Sequence, residues 1–442
     1  MADKTGFLRR YGLRWFSRKQ WQMRLVFWGG ALAVGAVSVI FAMAANHAQD
    51  LFTHMTTNPW WALAITPFGF VLAAYLAKTV FNGSQGSGIP QAIAARQFRD
   101  SKTREKLLSL RITIGKIFLT LFGLACGASI GREGPTVQVG ATIMLYSARI
   151  GGMGMERGLI LAGSAAGVAA AFNTPLAGIV FAIEEMSRAF EQRTSGLVLI
   201  AVILAGLASL GIVGNYNYFG STNAVLVTTT GWVAVFICGI AGGLLGALFC
   251  KLVLHGTDWS RAWFKVTPIR RAMLWAGVCG LIVAVCGLLS AGETYGTGYT
   301  AARHAVEGHY VYWTFPFLKF IANVASTLSG IPGGLFAPSL SVGAGIGSIV
   351  GQLLGLHSVG AIVVLGMAAY FSGVTQAPIT AFVIIEEMTN ANEMVIPLMI
   401  ASFIGFGISQ MFQRESLYHA LSHRFIDDLR AEAAARETAS TS

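Results

Sequence analysis

Gly131-Arg132-Glu133-Gly134-Pro135 stands inside a long apolar run. Phe118-Leu119-Thr120-Leu121-Phe122 precedes it, and Val137, Val139 and Ala141 follow. An Arg-Glu pair is out of place there. Charged side chains at membrane depth are costly, and where they occur they face a cavity or an ion path. The two glycines free the backbone, and proline is a favoured first residue of a helix. The stretch reads as an unwound segment whose amides open onto a helix N-terminus, an end that attracts anions. A buried structural ion pair in a loop is the competing reading of these five residues.

The composition around it excludes an ordinary soluble domain. The chain has 442 residues, 54% of them hydrophobic and 12% charged, with a mean hydropathy of +0.62. An average soluble domain carries about 25% charged residues. The expected class is an all-α, polytopic membrane protein. The 53 glycines fit helices that pack closely and break. A net charge of +11 is compatible with nucleic-acid binding, but the basic residues sit in short segments between apolar runs. That pattern follows the positive-inside rule, so the bilayer is the expected partner and nucleic acid is not. The five cysteines lie in apolar segments without CxxC spacing and read as small packing residues. The eight histidines, including His357, His419 and His423, show no metal spacing and read as surface or interface residues. No metal is expected.

Basic and apolar segments order the chain. Residues 1–24 carry Lys4, Arg9, Arg10, Arg14, Arg18, Lys19 and Arg24 and read as a cytoplasmic N-terminus. No cleavable signal is evident; the apolar span that follows reads as a first membrane helix. Spans at about 25–46 and 60–81 are separated by a polar loop on the far side, Asn46-His47-Ala48-Gln49-Asp50. A second basic segment, 93–106, then falls on the side of the N-terminus. The pieces at about 108–128, 136–148, 158–172 and 175–187 are short and interrupted. Several cannot cross a core that needs about 20 residues. They are expected as broken, re-entrant helices, tolerated only where protein or a water-filled cavity surrounds them. Longer spans return at about 196–214 and 231–254, with the cation-free loop after Asn215 outside and the basic segment 255–271 inside. Six more follow, from 272–291 to 394–412. The expected organisation is a first repeat half over 25–214, a second over 215–422 and a cytoplasmic polar tail over 423–442, with both termini cytoplasmic.

The halves repeat. Gly134–Gly140, Ala162–Ala166 and Asn173–Met186 form one series; Ala337–Gly343, Leu365–Ala369 and Gln376–Met388 form the other. Pro338 − Pro135, Gly366 − Gly163 and Pro378 − Pro175 are each 203, while Met388 − Met186 is 202. Agreement across three separate blocks marks an internal duplication. Such repeats, inverted in topology, build secondary transporters with the site at the repeat interface. Three places combine a glycine-rich turn with a proline where a helix would start: Gly86-Ser87-Gly88-Ile89-Pro90, Gly131–Pro135, and the stretch from Gly330 through Leu335 and Phe336 to Pro338. Three such ends converging would bind a dehydrated anion without a full opposing charge and still let it leave. Ser87 adds a hydroxyl donor.

GSGIP, GREGP and GGLFAP, in this order and spacing, resemble the CLC family of chloride channels and chloride/proton antiporters, from about residue 25 to 422. The resemblance implies roles. Ser87 and Tyr418 would coordinate a central chloride by their hydroxyls, with the amides of Leu335 and Phe336. Without the family, Tyr418 would read as an interfacial aromatic. Glu133 would be the external gate, its carboxylate competing with chloride for one position, and the backbone of Gly131, Arg132 and Gly134 would hold whichever anion is present. Glu185 would be the internal proton-transfer residue and Glu184 its neighbour at the cytoplasmic water entrance. The plain alternative is that Glu184 and Glu185 only end a helix at the interface. Glu386 and Glu387, their counterparts in the second repeat, read as structural. Lys116 and Lys319 would raise the local potential for anions, with snorkelling as the alternative. The resemblance implies exchange of chloride for protons, with a passive chloride channel as the alternative. It also implies a homodimer with one pore per subunit in the cell inner membrane, and no cofactor beyond bound chloride ions. Gln91 departs from the acidic residue common after GSGIP. Ser87 is the residue expected for chloride, where proline would suggest nitrate, and Pro135 argues against a fluoride exporter. A membrane-embedded enzyme using Glu184 and Glu185 is the poorer reading, since no nucleophile, metal or cofactor motif accompanies them.

Overall fold

A computed structural model describes residues 17–187, 192–214, 216–226, 228–356 and 358–441. Lys4, Arg9, Arg10, Arg14, Asn215 and His357 lie outside these described residues. What is described is helical, and eight of its helical segments are long and apolar enough to cross a membrane.

The first helix, α1 (Arg18–Met55), is 38 residues long, about 57 Å at 1.5 Å per residue and well beyond a bilayer core of ~30 Å. It runs straight through Asn46–Asp50, so the polar loop expected there is a polar turn of helix. Nothing in Asn-His-Ala-Gln-Asp breaks a helix; the chain turns only near Asn58 and Pro59, where a short 3₁₀ turn begins. α2 (Ala62–Thr79) returns. α3 (Ile89–Gln97), α4 (Ser101–Glu105) and α5 (Leu110–Ala125) follow. α6 (Glu133–Ile150), α7 (Glu156–Phe172) and α8 (Pro175–Phe181) are the short pieces expected from the broken apolar pattern. α8 continues as a π segment, Ala182–Ser187. α9 (Gln192–Val213), α10 (Thr229–Phe264) and α11 (Pro268–Leu289) are long. α10 carries the expected inner loop as helix as far as Phe264. α12 (Tyr299–Val306) and α13 (Phe315–Leu328) lead to the second set of short helices. These are α14 (Phe336–Leu353), α15 (Val359–Thr375) and α16 (Pro378–Thr389). α17 (Val395–Phe412) and α18 (Leu417–Thr441) end the described chain. The stretch expected as a polar tail continues α18 without a break.

Every residue of α15 is buried, as it must be for an apolar helix surrounded by others. α15 packs on α14, α10 and α17; its repeat counterpart α7 packs on α6 and α9. The two repeats meet about a local two-fold. Gly131 and Gly334, 203 apart, exchange amide-to-carbonyl bonds at 2.8 and 2.7 Å in an antiparallel bridge. Antiparallel meeting of equivalent segments is what a two-fold between inverted repeats produces. The same relation recurs between α8 and α16. Glu184 accepts from the amides of Ile379 and Thr380 at 3.0 and 2.6 Å. Glu387 accepts from Leu176 and Ala177 at 3.0 and 2.7 Å. Each carboxylate caps the other repeat's helix, which supplies acceptors to amides that have no partner inside their own helix.

That geometry corrects the pairing of the two Glu-Glu motifs. Glu184 matches Glu387 at the offset of 203, not Glu386. The offset falls to 202 at Met186 and Met388 because the π segment holds one residue more than the matching turn of α16. Glu185 is that extra residue.

Candidate functional site

The three glycine turns converge. Gly333 donates to the carbonyl of Gly86 at 3.3 Å, and Gly86 bridges Pro332. Gly88, with φ +104, caps α3 in a left-handed conformation that only glycine takes freely. A Cβ there would lie 2.9 Å from the carbonyl oxygen of Gly134 and 3.0 Å from the Gln138 side chain. A Cβ on Gly134 would collide with the Ser87 hydroxyl, and one on Gly334 would lie 2.8 Å from the Gly134 amide. The N-termini of α3, α6 and α14 therefore meet backbone to backbone, which side chains at these positions would forbid.

Around this meeting point, the structure gathers most of the residues singled out in the sequence. Tyr418, in the first turn of α18, is fully buried, and its ring lies 6.0 Å from that of Phe336. Phe336 is a hub, with Phe371 at 4.8 Å, Phe181 at 5.9 Å and Phe172 at 6.1 Å. The Ser87 and Tyr418 hydroxyls are buried and face one another, and beyond each other they find no hydrogen-bond partner in the surrounding protein. Leaving a buried donor unpaired costs about 1–3 kcal/mol, and when these two hydroxyls pair with each other one donor is still left over, so with three helix N-termini beside them they describe a place that suits an anion. A cavity of about 390 Å³ reaches this point from one side, with Ser87 and Leu335 in its lining and Gln91, Lys78, Arg261 and Arg424 further along it.

On the other side stands Glu133, fully buried. Its Oε1 accepts from the Tyr218 hydroxyl at 3.3 Å, Oε2 lies over Gly131, and the backbone amides of Glu133 and Ala337 lie against the carboxylate. Arg132 turns away from the meeting point. Its guanidinium donates to the carbonyl of Ala42 at 2.5 Å and to Oδ1 of Asn46 at 2.7 Å, and it stacks on the Tyr218 ring at 5.4 Å. Its side chain ties α6 to α1, and only its backbone remains near the turn. The Arg-Glu pair of the motif is not a salt bridge.

Glu185 is also buried, with Ser416 donating to Oε1 at 3.4 Å. Glu184, its neighbour, has its carboxylate engaged by the α16 amides described above.

The glycine-turn geometry can be set beside known proteins. The model of the voltage gated chloride channel family matches residues 68–410. The chain belongs to that family. Two curated relatives are each named H(+)/Cl(-) exchange transporter ClcA. The one from Citrobacter koseri is 30% identical over 431 residues, covering 91% of this chain and 88% of the relative. The one from Yersinia pestis is 30% identical over 460 residues, covering 92% and 90%. Among solved structures, a slow cyanobacterial Cl-/H+ antiporter superposes with a TM-score of 0.79 at 21% identity, covering 92% of this chain and 98% of that one. A CLC-type fluoride/proton antiporter gives 0.78 at 22%, covering 90% and 97%. At these identities the structures establish the shared fold. This CLC chain is thus a multi-pass membrane protein.

Several residues of this CLC chain that matter to the geometry escaped the sequence reading. Tyr218 and Asn46 stood in segments read as polar loops, and nothing in a loop's composition says which member turns inward. His419 was read as a surface or interface residue; it is buried, with Nε2 placed 2.8 Å from the Glu185 carbonyl oxygen. The two lysines are fully buried, which removes the snorkelling alternative. Lys116 donates to the carbonyl of Gly86 at 3.0 Å. Lys319, its partner at the 203 offset, donates to Ser129 Oγ, Thr294 O and Gly296 O at 2.9, 3.0 and 2.8 Å.

Proposed function

We propose that this chain exchanges chloride for protons across the membrane. The observation that carries the reading is the pair of buried hydroxyls, Ser87 and Tyr418, which find no partner beyond one another at the convergence of three helix N-termini, with the buried carboxylate of Glu133 over the adjoining Gly131 turn. Chloride takes the hydroxyls and the amides of Leu335 and Phe336 as donors. The backbone of Gly131, Arg132 and Gly134 supplies the next position.

Glu133 is the external gate. Ionised, its carboxylate occupies the anion's place; protonated, it loses its attraction for the donors and moves aside. One proton thus trades with one anion for one ring of amides. Glu185 carries protons between Glu133 and the opposite face, and Glu184 fixes the helix end beside it. The curated relatives carry the name of an H(+)/Cl(-) exchanger, which supports exchange over passive conduction. By the positive-inside rule, the basic segments put both termini in the cytoplasm, and the bacterial relatives favour the inner membrane. A homodimer with a pore in each subunit is part of the same reading; the exposed apolar residues of α9 and α17, such as Ile203, Leu207, Ile396 and Phe403, offer its contact faces.

The test is chloride efflux from proteoliposomes with simultaneous pH recording, repeated with fluoride and nitrate. Uphill proton movement driven by a chloride gradient is the expected result. Chloride efflux with no proton movement in the unmodified protein would replace the exchanger by a channel.

A further inference from the structure

The first turn of α18 holds Glu185 at two points. Ser416, the residue before Leu417, donates its hydroxyl to Oε1 at 3.4 Å. His419 reaches the backbone carbonyl of the same residue at 2.8 Å through Nε2. A carbonyl oxygen only accepts, so Nε2 carries the hydrogen. Both residues are buried, and Ser422 in turn donates to the carbonyl of His419 at 2.8 Å. Between Ser416 and His419 stands Tyr418, whose hydroxyl faces Ser87. One helical turn thus presents the proposed anion donor and grips the proposed proton carrier.

Glu185 needs such a grip. It is the extra residue of the π segment, which has no equivalent in the second repeat. A π turn closes i→i+5 bonds and is rare, occurring mostly as a single-turn bulge in an α-helix and often at functional sites. Glu184 anchors one side of the segment on the α16 amides. Ser416 and His419 anchor Glu185 itself, at the carboxylate and at the backbone.

We propose that His419, assisted by Ser416, is a positioning residue for proton transfer: it holds Glu185 in fixed register with Tyr418, so that the proton and anion paths stay aligned. The proposal rests on the exchange reading above. His419 serves as a hydrogen-bond donor here and does not itself carry the transported proton.

The experiment measures chloride and proton fluxes together in proteoliposomes of the unmodified protein and of H419A, H419Q and S416A. The glutamine amide retains an N–H that can reach the same carbonyl. H419A should keep chloride flux while its proton-to-chloride ratio falls by roughly 3- to 10-fold, the factor that one lost hydrogen bond corresponds to. H419Q should restore most of the ratio, and S416A should lower it in the same direction by less. A native ratio in H419A overturns the proposal. So does H419Q as poorly coupled as H419A, since the imidazole would then be needed as a proton carrier. If H419A does not fold, a native ratio in S416A overturns it. An unmodified protein that moves chloride without protons refutes the exchange reading, and the positioning role falls with it; a coupled unmodified protein with a coupled H419A refutes the positioning role alone.

Discussion

Gly131 and Gly334 hydrogen-bond to each other in both directions, at 2.8 and 2.7 Å. They are the same position in two repeats, so the local two-fold passes between them. The proposed anion path lies where the repeats touch, and the residues there are free to differ. Arg132 and Glu133 stand before Gly134-Pro135, whereas Leu335 and Phe336 stand at the equivalent positions before Ala337-Pro338. One repeat contributes a carboxylate beside this axis, and the other contributes apolar side chains with open amides.

Glu133 is the first test of that asymmetry. Glu133→Ala removes the competing carboxylate and leaves the amides in place. Chloride efflux should persist while proton movement disappears, as read by chloride and pH electrodes in one vesicle suspension. Proton coupling that survived the substitution would remove Glu133 from the gate.

Ser87 and Tyr418 should each account for part of the chloride affinity. Hydrogen bonds to a charged partner are worth about 1.5–3 kcal/mol, so Tyr418→Phe and Ser87→Ala should each weaken chloride binding by roughly 10-fold or more. Calorimetric titration of chloride into detergent-solubilised protein measures this. Phenylalanine keeps the ring packed on Phe336, so a change in affinity would belong to the hydroxyl.

Gly134 tests the close approach of the turns. A methyl group there runs into Ser87 and lies 3.1 Å from the Cα of Gly334. Overpacking of this kind costs about 1–3 kcal/mol. Gly134→Ala should therefore slow chloride efflux and lower stability by about 1–3 kcal/mol, with the helical content intact by circular dichroism. An alanine variant with native flux would show that the turns have slack.

Glu184 and Glu387 should behave as a pair. Each carboxylate caps the opposite repeat's helix, so Glu184→Ala and Glu387→Ala should each cost about 0.5–2 kcal/mol of stability in denaturant titrations in detergent. Glu386→Ala should cost little, because Glu386 caps neither helix. Similar losses from the first two with none from the third would confirm the register set by the π segment; equal losses from Glu386 and Glu387 would contradict it.

The membrane class, the repeat and the three glycine turns could all be read from the chain. Each is written in local terms: runs of apolar residues, a spacing of 203, glycine and proline at helix starts. The boundaries that failed were those where polarity was taken for a turn. Asn46–Asp50 is polar and helical, because leaving the bilayer does not oblige a helix to stop.

By itself, then, the sequence determined that this is an all-α membrane protein of two repeats whose glycine turns open onto helix ends. Those features follow from hydropathy and backbone conformational freedom, which are properties of neighbouring residues. Only the tertiary structure decided where the polar groups around the site go. It sent Arg132 to Ala42 and Asn46, Glu184 to α16, Tyr218 to Glu133 and His419 to the carbonyl of Glu185. A polar group inside a membrane protein takes whichever partner the packing brings within about 3 Å, and those partners lie tens to hundreds of residues away, where no local pattern records them.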